Sequence, residues 1–591
     1  MKTKLIILGI IATCLGCSKG WLEPKPLSFY TPSNVYVDEA GFEAILVTCK
    51  KQMNAENHGD LSFIVGEHVF SDIAVPLRQS DWTKTTPSTS LRQPVLKFFL
   101  DAYGYIKNAN TVITRIDDIE WPDEGNRNRI LSEALWFRAY WYYRLVNTYG
   151  DIPWVGEELS GAKLDYQSTS RWAILKKIQT DLEYALQWLP VTAAKGGDVT
   201  KGAANHLLAK IYLANTDFDK AIAAASAVID GPYALMTERF GVDKSNGYHD
   251  LMWDLHRWEN KNAAENTETI YATVDRPDAA PDTWFNSIGT ASMRNYQPSY
   301  WKVMDSEGQR ATNWATPAGD SLGIGNGDVR SNFFFMYGLW KDDTYRWDNT
   351  PDMRRAANNW IEMTGEEAEI ITVREESPNF GEPLSKKYYK NYGDTIDTWY
   401  SWPYYKTYVP TPNYAQPWGG QGDWYIFRLA ETYLLRAEAY FYKGELGLAA
   451  ADINVVRARA KAPLVAASSV DLSYIFDERA RELYAEEPRH SEMVRASFIL
   501  AKLNRDGYTL ESIHQRNWYY DKVMKDNTFY SPPKYSFWGN TATIHPFNML
   551  WPIPQQAITA NTKGRINQNI GYVGSEQNVP PLEEIPEQTT E

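Results

Sequence analysis

Cysteine is almost missing from this chain: Cys14, Cys17 and Cys49 are the three in 591 residues. Cys14 and Cys17 sit at the end of the N-terminal apolar region, so with 1–16 cleaved and Cys17 modified, Cys49 has no intrachain partner unless Cys14 is retained, and the fold must rest on its core. Histidine is scarce as well, at eight. His58, His68, His206, His249, His256, His490, His514 and His545 show no HExxH or other tight metal-ligand spacing. His249 and His256 fall seven apart in YHDLMWDLHRW, which permits a shared helix face, but they read as core or surface histidines. GIGNG at 323–327 lacks the Lys-Ser/Thr of a phosphate loop, and NSIGTAS around Ser287 lacks a G-x-S-x-G elbow. A glycoside hydrolase needs two carboxylates about 5 to 10 Å apart, and no feature selects such a pair among 74 acidic residues. The expectation is a protein that is not an enzyme and uses neither cofactor nor metal. Positive charge is also in deficit, 60 Lys and Arg against 74 Asp and Glu for a net of −14. That balance argues against nucleic acid and anionic head groups as partners, and mildly against acidic polysaccharides, although a local patch can reverse a global charge. No long Gly/Ser-rich or Pro-rich linker interrupts the chain, so one body is expected, with a polar tail over 574–591.

The start of the chain is an address rather than a fold. Lys2 and Lys4 make a basic region, Leu5 to Ala12 an apolar one, and Leu15-Gly16 precede Cys17. The apolar run is shorter than the roughly 20 residues of a spanning helix, so 1–16 reads as a cleaved lipoprotein signal with Cys17 lipidated. Cys14 stands as a competing site, and a secreted protein cleaved nearby without lipid is the plainer alternative. Lipid chains hold a soluble body on a membrane because each buried CH₂ contributes about 0.8 kcal/mol.

What the chain has in excess is Trp and Tyr, 23 and 38 against 21 Phe. These rings join a flat apolar face to a polar edge, which suits stacking on sugar rings, although most of them must serve the core. Helical periodicity dominates two blocks, about 91–230 and 423–504. In the first, Leu131, Leu135, Arg138, Trp141, Tyr142 and Leu145 mark one buried helix face. Helix-turn-helix pairs carry small residues at their contacts: Ala204, Leu208 and Tyr212 face Ala221 and Ala225, while Leu434, Ala437 and Tyr440 precede a turn at Gly444 and Ala449 with Ile453 follow. Such pairs are tetratricopeptide-like without a regular 34-residue repeat. Residues 56–90 and 231–422 are loop-rich, dense in Trp, Tyr, Asn, Asp, Gly and Pro, and read as variable binding loops on that scaffold.

SEALWFRAYWYYRLVNTYGDIPWV resembles the first signature of the SusD/RagB family, E-A-x-F-x-R-A-x-x-Y closing on an aromatic-Gly-Asp-hydrophobic-Pro turn. TKGAANHLLAKIYLAN, FRLAETYLLRAEAYF, DINVVRARA and ERARELYAEEPRHSEMVR resemble further family helices in order, with Glu492 where the family usually has Asp, and WPIPQQAITANTKGRINQNIGY resembles its C-terminal segment within 505–573. The resemblance implies a mostly α SusD-like fold over 17–591: four tetratricopeptide-like pairs beside a loop-rich, aromatic-rich half with little β structure. It also implies a lipid-anchored, outward-facing outer-membrane protein that closes over a SusC-like TonB-dependent transporter and captures nutrient, usually an oligosaccharide.

Read as residues, Glu133, Arg138, Asp151, Arg428, Glu431, Glu438, Arg457, Glu482 and Arg489 lie on helix faces that also carry apolar groups, so buried ion pairs joining helices are expected rather than catalysis. The resemblance places ligand contacts on a tryptophan ahead of the first long helix and on aromatics of the central insertion. The positions answering that pattern are Trp82, Trp284, Tyr296 and Trp301, with Asp72, Arg78 and Asp81 nearby to bond hydroxyls and Trp314, Trp340 and Trp347 behind them. Oligosaccharide capture and delivery is the leading function, at micromolar to millimolar affinity. Peptide capture is the alternative, disfavoured by the Trp-rich loops, with a surface glycoside hydrolase and a purely structural lid more distant.

Overall fold

The computed structural model describes residues 35–60, 62–76, 85–88, 94–312, 322–388, 395–410, 418–530 and 543–585. Helices α1 (Glu39–Gln52), α2 (Phe63–Val69), α3 (Pro94–Arg115), α4 (Glu124–Tyr149), α5 (Arg171–Trp188), α6 (Lys201–Asn215) and α7 (Phe218–Ile229) form the first block. Only short helices follow: α8 (Leu251–His256), α9 (Ser292–Tyr296), α10 (Phe333–Met336), α11 (Thr395–Thr398) and α12 (Tyr404–Thr407). Long helices resume with α13 (Leu429–Lys443), α14 (Leu446–Arg459), α15 (Leu472–Leu483) and α16 (Arg489–Lys502), before α17 (Trp518–Asp526) and α18 (Gln555–Ala560).

Local chemistry sets the boundaries. Asp38, Asp123, Thr200 and Asp217 cap α1, α4, α6 and α7 by accepting backbone N–H bonds in the first turn. Thr216 (φ +65°) turns α6 into α7 and Gly444 (φ +80°) turns α13 into α14, each in the left-handed conformation that ends a helix. Ala204, Leu208, Ala221 and Ala225 are fully buried between α6 and α7. The helices pack in sequence from α3 to α7, and α13 then packs on α7, joining the two blocks across the loop-rich region. α14 and α15 cover α13, while α16 closes back on α4 and α6. One expectation is corrected here. α4 does not bury a single stripe: every residue from Ser132 to Tyr149 is buried, because α3, α5, α1 and α16 surround it.

Extended structure is sparse among the described residues, four antiparallel two-stranded sheets. β1 (Ala74–Pro76) pairs with β5 (Val329–Ser331), and β2 (Ile152–Pro153) with β3 (Ser168–Thr169). β4 (Thr269–Thr273) pairs with β8 (Trp424–Arg428), and β6 (Glu367–Thr372) with β7 (Pro383–Ser385). The main apolar core reaches from Phe42 to Ile566, and a smaller one gathers Phe240, Leu251, Met252, Trp253, Leu255 and Tyr405. Cys49 lies within the main core, its thiol pushed up to about 12 by burial and therefore inert. No described helix is long and apolar enough to cross a membrane.

Buried charge joins the helices. Arg428, at the start of α13, bonds Glu268 (2.7 Å) and Glu482 (2.6 Å) and also reaches Glu486. Arg354 bridges Asp352, Glu478 and Glu482 at 2.7 to 2.9 Å, and Arg457 adds a 2.6 Å bond to Glu478. Burial raises the Glu482 carboxyl, but Arg459, Arg428 and Arg354 together hold it well below the usual range. Glu431 accepts from His206 (3.0 Å), Lys210 and Arg479 (3.1 Å), and Glu438 takes a two-pronged bond from Arg495 (2.8 and 2.7 Å). Glu492 meets Lys210 and Arg495, each at 3.0 Å, and accepts the Tyr143 hydroxyl (2.9 Å), so the longer side chain joins α16 to α6 and α4. Glu133 pairs with Lys50 and Arg129, and Arg138 with Asp181 (2.7 Å). Asp151 is bonded differently, accepting the backbone N–H of Arg171 at the start of α5 (2.9 Å). Water is excluded from most of these sites, so each charge depends on its partners.

Candidate functional site

The segment SNFFFMYG follows β5 and makes an aromatic platform through one helical turn. Asn332 caps α10 by accepting the N–H of Phe335 (2.9 Å), and its own backbone N–H donates to the Ile73 carbonyl (3.1 Å). Phe335 turns inward and stacks on Tyr484 (4.1 Å, 19°), while Phe333 and Tyr337, four residues apart, stack outside it at 6.1 Å and 27°. Phe333 is 55% exposed. Trp347 stands 5.1 Å from Tyr337 and rests on the buried Arg355 guanidinium at 4.8 Å, which braces it from the core side.

These rings line a cavity of about 550 Å³ that Phe334, Lys341, Arg346, Lys525, Asp526 and Thr528 complete. Its two walls hang from one stretch of chain. On one side the Asn332 amide donates to the Asp72 carbonyl (2.6 Å). On the other the Asn527 amide, just past α17, donates to the carbonyls of Ser71 (3.0 Å) and Ala74 (2.8 Å). The segment is itself fixed by Asp72, which is fully buried and bonded by Arg489 from α16 (2.8 and 2.7 Å). Burial raises the Asp72 carboxyl, and Arg489 and Lys522 more than offset it, leaving it lowered and ionised. Lys522 places its ammonium among Asp477 (2.7 Å), Asp526 (2.8 Å) and Asp72 (3.4 Å). Those three carboxylates have the clustering of a metal site, but the ammonium already takes the place a cation would need.

Two expected ligand residues are corrected. Asp72 offers its carboxylate to buried cations rather than to solvent, so it positions the site and does not face it. Tyr296 is 3% exposed, its ring edge-on to Tyr484 and its hydroxyl 3.3 Å from His68 Nδ1, because the one-turn helix α9 points it into the core. Trp340 is likewise core, with its indole N–H donated to the Phe335 carbonyl (2.7 Å). Trp284 is half-buried in a separate loop and donates to the Arg276 carbonyl (2.8 Å). Trp301 is half-buried too and donates to the Gly325 carbonyl (2.8 Å), with the exposed Arg310 stacked on its ring at 4.6 Å. Gly325 is required there, since a Cβ would lie 2.0 Å from the Gln297 carbonyl oxygen. GIGNG is thus a packing loop. Cys17, Arg78, Asp81, Trp82 and Trp314 lie outside the described residues. His249 precedes α8 and stacks flat on Trp253 (3.8 Å), whereas His256 is buried toward Glu486 (3.8 Å), so they form no ligand pair.

Composition and family pattern missed Phe333, Tyr337, Lys341, Lys525 and also Trp418, whose ring lies 4.3 Å from the Arg294 guanidinium. The available signal for the first two was the i, i+4 spacing of rings in NFFFMYG after a loop. A larger groove, about 920 Å³, runs beside α3, α4 and α5. Its tryptophan, Trp154, is stacked on Tyr142 (4.3 Å, 27°) and lies 5.2 Å from the Arg138 guanidinium, so its faces are taken.

Comparison with known proteins comes to the same architecture. Residues 325–572 match the model described as "SusD family", and residues 21–213 match the one described as "Starch-binding associating with outer membrane". SusD-like protein P25 of Formosa agariphila is 22% identical over 589 residues, 95% of this chain and 97% of that protein. SusD-like protein P2 of the same organism is 29% identical over 243 residues, 39% of this chain and 46% of that protein. A solved laminarin-binding SusD-like protein superposes with a TM-score of 0.60 at 21% identity, over 91% of this chain and 100% of that one, a likeness of fold.

Proposed function

The chain belongs to the SusD/RagB family, and from that premise we propose that it captures an oligosaccharide noncovalently in the cup of Phe333, Tyr337 and Trp347. The observation that carries this reading is the exposed Phe333 stacked on the half-buried Tyr337, beside Trp347, in a concavity of about 550 Å³. Pyranose faces pack on flat rings through dispersion and burial of their C–H bonds, while the hydroxyl edge meets the side chains of Lys341, Arg346, Lys525 and Thr528. A volume of this size suits a few sugar rings. The name of the laminarin-binding relative and the starch-binding description of the matched family point to the same ligand class.

The finer steps follow the family. Residues 17–591 act as one body, Cys17 carries the lipid that tethers it to the outer membrane, and the captured glycan passes to a SusC-like TonB-dependent transporter. The role is binding rather than catalysis: among the described residues lining the cup Asp526 is the one carboxylate, and it is tied with Asp477 and Asp72 to the buried Lys522 ammonium rather than set opposite another carboxylate across the cavity. Isothermal titration of the purified mature chain against a panel of oligosaccharides tests the reading. Micromolar to millimolar binding that Trp347→Ala weakens is expected, and a protein that binds peptides but no glycan would overturn it.

A further inference from the structure

The protein is acidic overall, 60 basic against 74 acidic residues, yet the cup is not. Lys341, Arg346 and Lys525 line it, and Asp526, the one carboxylate among its described lining residues, shares the Lys522 ammonium (2.8 Å) with Asp477 and Asp72. Arg346 shares its charge with Asp348 (2.9 Å). Lys341 and Lys525 are exposed and make no ion pair or hydrogen bond with any described residue. The neighbouring acids are turned elsewhere: Asp342 accepts the backbone N–H groups of Thr344 and Tyr345 (2.7 Å each) and, like Asp343, does not line the cavity.

A further cation stands behind the rings. Arg330, the middle residue of β5, lies 5.4 Å from the Phe333 ring and 5.7 Å from the Tyr400 ring. Its Nε is buried without a hydrogen-bond partner, and it forms no ion pair among the described residues. It is half-buried, burial lowers its guanidinium while Asp397 offsets this in part, and it adds positive charge behind the rings without lining the cup. Neutral sugars need acceptors as well as donors, because each hydroxyl both gives and takes a hydrogen bond. The charged side chains Lys341, Arg346 and Lys525 are donors only, and acceptors among the described lining side chains are limited to Asp526 and the Thr528 and Tyr337 hydroxyls.

We infer that the cup selects glycans carrying an anionic substituent, a uronate carboxylate or a sulfate ester, bound by Lys341, Lys525 and Arg346 while Phe333, Tyr337 and Trp347 hold its ring. The inference rests on the proposed glycan capture at this site. It predicts binding that salt weakens, since exposed charge pairs are screened over about 10 Å at ~0.1 M ionic strength.

The test is titration of the mature chain with three oligosaccharides of one backbone, neutral, uronate-bearing and sulfated, at low and high salt. Lys341→Gln/Lys525→Gln removes charge from exposed positions, and Phe333→Ala and Trp347→Ala remove the rings. At least one anionic ligand should bind about tenfold or more tightly than the neutral one, and the anionic arm that binds identifies the group. High salt and the double lysine variant should each abolish that preference. Equal binding of neutral and anionic ligands, or a preference that the lysine variant leaves intact, overturns the anionic selection. If the ring variants still lose binding in that case, glycan capture stands. Absence of binding to all three, or binding untouched by Phe333→Ala and Trp347→Ala, overturns both.

Discussion

Phe333 and Tyr337 are four residues apart across a single turn of helix, and that spacing turns two rings of one loop into a continuous surface. Trp347 extends it from another loop, and Arg355 holds the indole from behind. Loss of either Phe333 or Trp347 to Ala should cost about 1 to 2 kcal/mol of ligand binding, roughly 5- to 30-fold in Kd, with the thermal midpoint little changed. Tyr296→Phe serves as the contrast: its hydroxyl meets His68 in the core, so titration should give a Kd within about twofold of wild type. The helix signatures were legible from residue order because buried ion pairs demand particular residues at fixed spacing, as with Glu431, Glu438 and Arg495. Phe333 and Tyr337 were not, since an aromatic in a polar loop looks the same whether it faces core or solvent. Phe335, two residues from Phe333, is buried.

At the scale of elements, stability depends on charge pairs that lock α13, α15 and α16 together. Arg495→Ala leaves Glu438 buried without its two bonds and should cost about 3 to 5 kcal/mol in chemical denaturation, with Glu438→Ala similarly harmful. Acid should unfold the protein in two stages. Burial pushes the His68 and His490 side chains down to about 3, so their contribution is complete above their ordinary value of 6.5 and is lost as pH falls toward 3. Glu487, pushed up to about 7 by burial, opposes this between pH 7 and its ordinary 4.5, while His206 and His256, also lowered by burial, add to it. Below 4.5 the carboxylates dominate: burial raises Glu478, but Arg354, Arg457 and Arg481 hold it at about 2, so its contribution is lost from pH 4.5 down to 2. Thermal midpoints should decline gently from pH 6.5 to 4.5 and fall steeply below 4.5. A midpoint that rises as pH falls from 6.5 to 4.5 would contradict this assignment of the buried histidines.

The whole molecule places a scaffold of long helices behind a loop-rich half that holds the site. Both blocks of long helices were readable from periodicity. The contact of α7 with α13 that joins them across some two hundred intervening residues was not, because no local pattern encodes it. Nor was the tie of both cup walls to Ser71, Asp72, Ile73 and Ala74, which depends on Asn332 and Asn527 side chains meeting backbone far away in sequence. Asp72 looked like a ligand residue because it lies in a polar loop, and its partner Arg489 stands 417 positions on. Tethering is a separate property of the chain end. Cys17→Ser should move the protein from the membrane to the soluble fraction on cell fractionation while leaving its Kd for glycan unchanged. An anchor retained in that variant would shift the assignment to Cys14.

The central claim is that the ligand sits in the cup, and a structure of the mature protein with an oligosaccharide bound in solution-verified complex tests it most directly. The account predicts sugar rings in van der Waals contact with Phe333 and Trp347 and within hydrogen-bond reach of Lys341 or Lys525. Ligand resolved elsewhere, over Trp301, Trp418 or the groove beside Trp154, with the cup empty, would contradict it.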